Sequence, residues 1–162
     1  MGNKVIRALK EEEYPLLEIF LYEAIYQREN ETKLPFEIIK DHHLNKYIAE
    51  FGKGNDICLV AEEDKSVIGM VWTRLYSEDN KGYGFVDGKT PELSIAILKD
   101  YRGIGVGTTL MKSILNLLRE EKYSQVSLSV QKDNYAYKLY EQVGFRVLIE
   151  TASDCVMVCE LT

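Results

Sequence analysis

The chain has 162 residues, 46% of them hydrophobic and 28% charged, with a formal net charge of −6. That length suits one domain over residues 1–162 with its own buried core, and the composition is that of an ordinary globular protein. The acidic balance argues against a nucleic-acid or anionic-membrane partner, since both call for basic surface, and no apolar stretch approaches the roughly 20 residues that cross a bilayer.

Lys4-Val5-Ile6-Arg7-Ala8 predicts a short first strand, with no signal-peptide apolar region before it. Glu11-Glu12-Glu13 then open a helix that reaches about Gln27, with Pro15 tolerable near its start. A second helix starts near Pro35, carries Ile38, Ile39, Leu44, Tyr47, Ile48 and Phe51, and stops at Gly52 and Gly54. The apolar runs 57–62 and 67–75 are joined by Glu63-Asp64-Lys65-Ser66 and predict a hairpin. Residues 77–91 are rich in Gly, Asp, Asn and Lys. An irregular stretch of that length is a substrate-side loop or a variable connector.

A strand follows over residues 93–98, then a helix to near Glu121, then a strand over 125–130. Strand, helix and strand at this spacing make a right-handed crossover with a parallel pair. Asp133 or Asn134 caps a short helix whose stripe is Ala136, Leu139, Tyr140 and Val143, and Gly144 ends it. Two strands, 145–149 and 155–159, complete an α/β fold with a mixed sheet. Cys58, Cys155 and Cys159 are an odd set without a Cys-x-x-Cys pair, which reads as buried free thiols in a reducing cytoplasm. His42 and His43 are adjacent, so they make a poor metal pair, and no metal is expected.

The stretch with chemical content lies between the 93–98 strand and the helix after it. Arg102 is followed by Gly103, Gly105 and Gly107 at alternate positions. The first N–H groups of a helix lack internal partners and carry the positive end of its dipole. With glycine on the approach, no side chain shields them, and the bend suits a phosphate or diphosphate beside a cationic Arg102. The plainer reading is a tight strand-to-helix turn. A Walker A loop needs Gly-Lys followed by Ser or Thr, which does not occur here, and the Rossmann fingerprint needs a different glycine spacing directly after the strand.

Arg102, Gly105 and Gly107 fill the pattern Arg/Gln-x-x-Gly-x-Gly/Ala. That pattern resembles the acyl-CoA diphosphate loop of the GNAT superfamily of N-acetyltransferases. One helix and one strand later, Asn134-Tyr135-Ala136-Tyr137-Lys138-Leu139-Tyr140-Glu141-Gln142-Val143-Gly144-Phe145 resembles that superfamily's Asn-x-x-Ala segment ending in Leu-Tyr-x-x-x-Gly-Phe. The resemblance implies a mostly antiparallel twisted sheet of six to seven strands. It also implies a central parallel pair splayed to hold CoA, and about four helices. It covers residues 57–149 and is weak over the first 56.

Carried over residue by residue, it implies acetyl-CoA as cosubstrate, with Arg102, Gly103, Ile104, Gly105, Val106, Gly107 and Thr108 at its diphosphate. Ile95 and Ile97 would offer backbone groups to the pantetheine arm, and Asn134 would sit near the thioester. Tyr140 matches the family's general acid, and its plainer reading is a core tyrosine. Asn134 reads equally as a helix cap. Glu92, at the start of the central strand, is the candidate base, or else a solvated strand edge; the alternative is Ser94 steering a water. The acceptor implied is a small-molecule or peptide amine, and the C-terminal strands often mediate homodimers in the superfamily. The competing function is a non-catalytic acyl-CoA-binding sensor on the same fold.

Overall fold

Alternating apolar residues drive seven strands into one sheet in the computed structural model, which describes residues 3–162. The strands are β1 (Lys4–Ala8), β2 (Ile57–Glu63), β3 (Ser66–Arg74), β4 (Glu92–Ile97), β5 (Gln125–Gln131), β6 (Phe145–Glu150) and β7 (Asp154–Glu160). Their spatial order is β1-β2-β3-β4-β5-β7-β6, antiparallel at every step except β4 to β5. The β2–β3 hairpin closes on Asp64 and Lys65, both at positive φ (48° and 70°), the backbone that a two-residue turn needs to match strand twist.

Among the described residues four α-helices cover the sheet: α1 (Leu16–Ala24), α2 (His42–Asn45), α3 (Val106–Glu120) and α4 (Ala136–Gln142). On one face α3 buries Leu110, Ile114 and Leu118 against Val71, Val126 and Leu128. On the other, Leu17, Phe20 and Leu21 of α1 pack with Val60, Met70 and Trp72. Both predicted N-terminal helices are shorter than expected. Pro15 allows only a 3-10 turn at Glu11–Glu13 before α1 begins at Leu16. The segment from Pro35 is a 3-10 stretch, Phe36–Lys40, that breaks at Asp41 (ψ 134°) before the single turn of α2. Irregular turns follow to Phe51.

The crossover β4–α3–β5 gives the parallel pair, but the pair barely forms. Glu92 opposite Ser127 is its one register position, and the Ser127 N–H donates to the Pro91 carbonyl at 3.0 Å. Beyond it the strands part. Across the gap, Arg28 after α1 holds Asp133 after β5 through Nε at 2.6 Å and Nη2 at 2.9 Å, and Tyr26 donates to the Asp133 carbonyl. These contacts are exposed and stabilise little, so the split rests mainly on packing from the two faces. Cys58, Cys155 and Cys159 are buried and unpaired. Among the described residues no helix is long and apolar enough to cross a membrane.

Candidate active site

The split between β4 and β5 opens a cleft of about 370 Å³. The backbone register decides what faces it. The Leu98 N–H donates to the Ile68 carbonyl, so Ala96, Ser94 and Glu92 also turn their backbone groups toward β3. Leu93, Ile95 and Ile97 therefore turn theirs toward β5, which has moved away. Side chains alternate in the other sense. Glu92 projects to the α1 face, and Leu93, Ile95 and Ile97 pack on the α3 face. The cleft is thus lined from both faces, by Leu21, Ala24 and Tyr26 on one side and Asn134 and Tyr140 on the other.

Glu92 is no solvated strand edge, being only 3% exposed. The Tyr47 hydroxyl donates to its Oε2 at 2.6 Å, and its Oε1 is buried without a hydrogen-bond partner among the described residues. Burial pushes the carboxyl up to about 7, against the opposing pull of Tyr47, the Gly84 amide and Lys46. An acid held near neutrality in a cleft suits proton transfer. Tyr140 is buried on α4 and edges onto the same cleft. Desolvation raises its phenol above the ordinary value, so the proton stays on oxygen at neutral pH.

The glycine bend divides into two kinds of position. Gly103 (φ 77°) and Gly105 (φ 94°) adopt left-handed backbone, and a Cβ at either would meet nothing within 4 Å. They serve conformation, and they leave the approach bare. Gly107, inside the first turn of α3, has a packing reason: a Cβ there would stand 3.3 Å from Leu139 Cδ2 of α4. Gly105 caps α3 without a side-chain hydrogen bond, and no acidic residue lies in the first turn. The amides of Val106, Gly107 and Thr108 therefore keep their donor capacity and the dipole's positive end. Ile104, between the two left-handed glycines, is exposed.

Arg102 sits differently from the expected free cation. Its Nε donates to the Ile97 carbonyl at 2.9 Å, and its Nη2 pairs with Glu23 of α1 at 3.2 Å. The Asn134 Oδ1 accepts from the Ala136 N–H at 2.9 Å, so the cap role is filled and Nδ2 is what remains for a ligand. Sequence reasoning missed Tyr47, and it offered the 77–91 loop as substrate-side or connector without the contacts of its tip. Tyr47 accepts from the Tyr83 N–H at 2.7 Å, and the two rings stack at 6.4 Å and 12°. A Cβ on Gly84 would reach the Leu128 carbonyl carbon at 2.7 Å, so this loop lies against β5 and is no free connector. Its signal was the alternation Gly82-Tyr83-Gly84, which marks close backbone approach.

The model of the acetyltransferase (GNAT) family matches residues 20–145. The chain belongs to the GNAT family. An N-alpha-acetyltransferase from Sulfurisphaera tokodaii is 32% identical over 108 residues, 64% of this chain and 60% of that protein. One from Sulfolobus acidocaldarius is 31% identical over 129 residues, 74% of this chain and 71% of that protein. A mycothiol acetyltransferase from Corynebacterium aurimucosum is 31% identical over 91 residues, 56% of this chain but only 28% of its own length. Among solved structures, an N-acetyltransferase from Thermoplasma acidophilum in complex with coenzyme A superposes with a TM-score of 0.69 at 20% identity, covering 98% of this chain and 99% of that one. A Salmonella typhimurium protein solved with acetyl-CoA gives 0.71 at 19% identity, covering 99% and 95%. The fold is the GNAT fold, with the mixed sheet, the parted parallel pair and the four helices that the resemblance implied.

Burying an ionisable carboxyl in this GNAT cleft costs stability. Folded Glu92 binds its proton more tightly than unfolded Glu92, with a carboxyl at about 7 against an ordinary 4.5. Its stabilising contribution is therefore complete below about pH 4.5 and is lost as pH rises through 7. Glu92→Gln cannot ionise. Relative to the parent it should gain up to about 3 kcal/mol between those pH values and keep the gain above pH 7. Urea unfolding at pH 4.5 and pH 8 measures this; equal differences at both pH values would contradict it.

Proposed function

We propose that this chain moves an acetyl group from acetyl-CoA to a primary amine by direct attack. One observation carries the reading: Glu92 and Tyr140 line a single cleft from opposite faces of the sheet, where the Ile95 backbone lies open between them. The site fits acetyl-CoA, because the α3 approach offers uncapped amides, left-handed glycines and no first-turn acid to a diphosphate. When bound, acetyl-CoA supplies a thioester carbonyl activated toward amines.

In this reading Gly103 to Thr108 hold the diphosphate, and Arg102 exchanges Glu23 for it. The open backbone of Ile95 and Ile97 pairs with the pantetheine arm, as a strand partner would. Ionised Glu92 takes a proton from the acceptor's ammonium, leaving the lone pair for attack. A backbone N–H of the parted β4 receives the developing charge on the carbonyl oxygen. Tyr140 gives its proton to the departing thiolate as the C–S bond breaks, and the second proton that the attacking nitrogen sheds as the amide forms returns to Tyr140 through solvent. Asn134 orients the thioester end through Nδ2.

The acceptor is a small-molecule or peptide amine, consistent with a buried carboxylate lining the cleft. The N-alpha-acetyltransferase names of two archaeal relatives put peptide N-termini first among the amines to test. Three buried, unpaired thiols among the described residues favour a reducing compartment, and we assign the chain to the cytoplasm. A single-domain unit over 1–162 and a homodimer through the C-terminal strands belong to the same proposal. The dimer is supported by Val147, Leu148 and Ile149, which stand exposed on the edge strand β6.

Thiol release from acetyl-CoA across a panel of peptides, polyamines and amino sugars tests the activity. Turnover with at least one amine is expected, and none above background would contradict it. Gly105→Glu places a negative charge and a strained φ at the diphosphate site. It should weaken acetyl-CoA binding at least roughly tenfold by calorimetry; unchanged affinity would move the site elsewhere. Tyr140→Phe should lower kcat by about 10²-fold with little change in acetyl-CoA affinity. Unaltered turnover would remove Tyr140 as the acid.

A further inference from the structure

Glu92 has one satisfied oxygen and one bare one. Oε2 receives the Tyr47 hydroxyl at 2.6 Å, while buried Oε1 has no hydrogen-bond partner among the described residues. A buried acceptor left empty asks for a reason. Tyr47 itself is held from three directions. Its own carbonyl accepts the Trp72 indole N–H at 3.0 Å, its hydroxyl accepts the Tyr83 amide at 2.7 Å, and its ring stacks on Tyr83. A hydroxyl that already accepts from a backbone amide points its one proton at the carboxylate.

We propose that Tyr47 is a positioning residue: its hydroxyl fixes Glu92 through Oε2, leaves Oε1 beneath Gly82 as the oxygen that accepts the acceptor's proton, and ties the base to the tip of the 77–91 loop. This rests on the reading of Glu92 as the base. In the step concerned, an N–H bond of the ammonium breaks and an O–H bond forms at Oε1. The electron pair stays on nitrogen, and the proton leaves to solvent when Glu92 ionises again.

The loop takes part because its backbone closes the pair in. A Cβ on Gly82 would collide with Glu92 Oε1 and approach the Tyr47 hydroxyl at 2.8 Å. Only glycine there leaves room for the bare oxygen. Acceptors that move the loop tip thereby move the Tyr83 amide, the Tyr47 hydroxyl and the base together.

From the loop, the Gly84 amide also faces the carboxylate and favours its charged form, and among the described residues no other side chain duplicates the Tyr47 contact. Lys46, beside Tyr47, donates its Nζ to the Lys81 carbonyl. Arg74, opposite Glu92 on β3, is held by Asp56 at 3.0 Å. The Tyr76 hydroxyl is buried without a partner among the described residues, and burial with the nearby Glu92 charge raises it above its ordinary value. Tyr26, Tyr140 and Asp154 border the same cleft from the α1, α4 and β7 sides.

The test follows Glu92 and turnover separately. In the full chain labelled with carboxyl-13C glutamate, the resonance that Glu92→Gln removes is Glu92, expected to titrate near pH 7. Tyr47→Phe keeps the ring and loses the donor. It should raise that midpoint by about one pH unit or more. It should also move the acid limb of kcat/KM equally for the amine identified by the panel above, and leave acetyl-CoA affinity intact. Gly82→Ala, which presses on Oε1 and on the Tyr47 hydroxyl, should lower kcat with the same affinity. If Glu92→Gln abolishes the acid limb while Tyr47→Phe leaves midpoint, limb and kcat in place, the positioning role is overturned and the base stands. If Glu92→Gln leaves rate and limb unaltered, the base assignment fails and this role with it.

Discussion

β4 and β5 share one backbone bridge, Glu92 with Ser127, and then part. Parallel strands joined by a helical crossover ordinarily pair along their length, because an unpaired backbone group is costly to bury. Here the cost is accepted at the centre of the sheet. It is tolerable because the neighbouring ladders are complete: β3 holds β4 over six register pairs, and β7 holds β5 over seven. The two half-sheets are each closed units, and the opening between them is where polar backbone meets a ligand-sized space.

Two different sources of electrostatics converge on that opening. At the α3 end it comes from backbone alone, since Gly105 at φ 94° leaves the helix amides bare. At the β4 start it comes from burial, which holds the Glu92 carboxyl at about 7 where an exposed glutamate would be fully ionised. Burial likewise keeps the Tyr140 phenol protonated. Burial thus raises both the proposed base and the proposed acid, from opposite sides of one sheet. The N-terminal third supplies the walls, through α1, Tyr26 and Tyr47, and the link from Glu23 to Arg102 joins it to the glycine bend.

Most of the sheet was legible in the sequence because strand alternation and turn residues are local signals. The order β4, bend, α3, β5 followed from an apolar run, three glycines and a change to helical spacing. What was not legible depended on distant contacts. Pro15 and Asp41 broke helices that apolar spacing alone carried through. The burial of Glu92 was hidden, because Pro91-Glu92 after a polar loop looks the same whether it caps a wet edge or starts a central strand. Tyr47 stood with Leu44, Ile48 and Phe51 on an apolar stripe, and only the fold puts its hydroxyl against a residue 45 positions away. Arg102 is locally a cation beside glycines, and its engagement with Glu23, 79 positions earlier, is purely tertiary.

A crystal structure of the protein with acetyl-CoA tests the central claim most directly. The account predicts the diphosphate on the amides of Gly103 to Thr108, the pantetheine arm bonded to the open backbone of Ile95, and the thioester between Glu92 and Tyr140. A ligand seated outside the split, or a β4–β5 pair zipped shut beyond Glu92 with the ligand elsewhere, would contradict it.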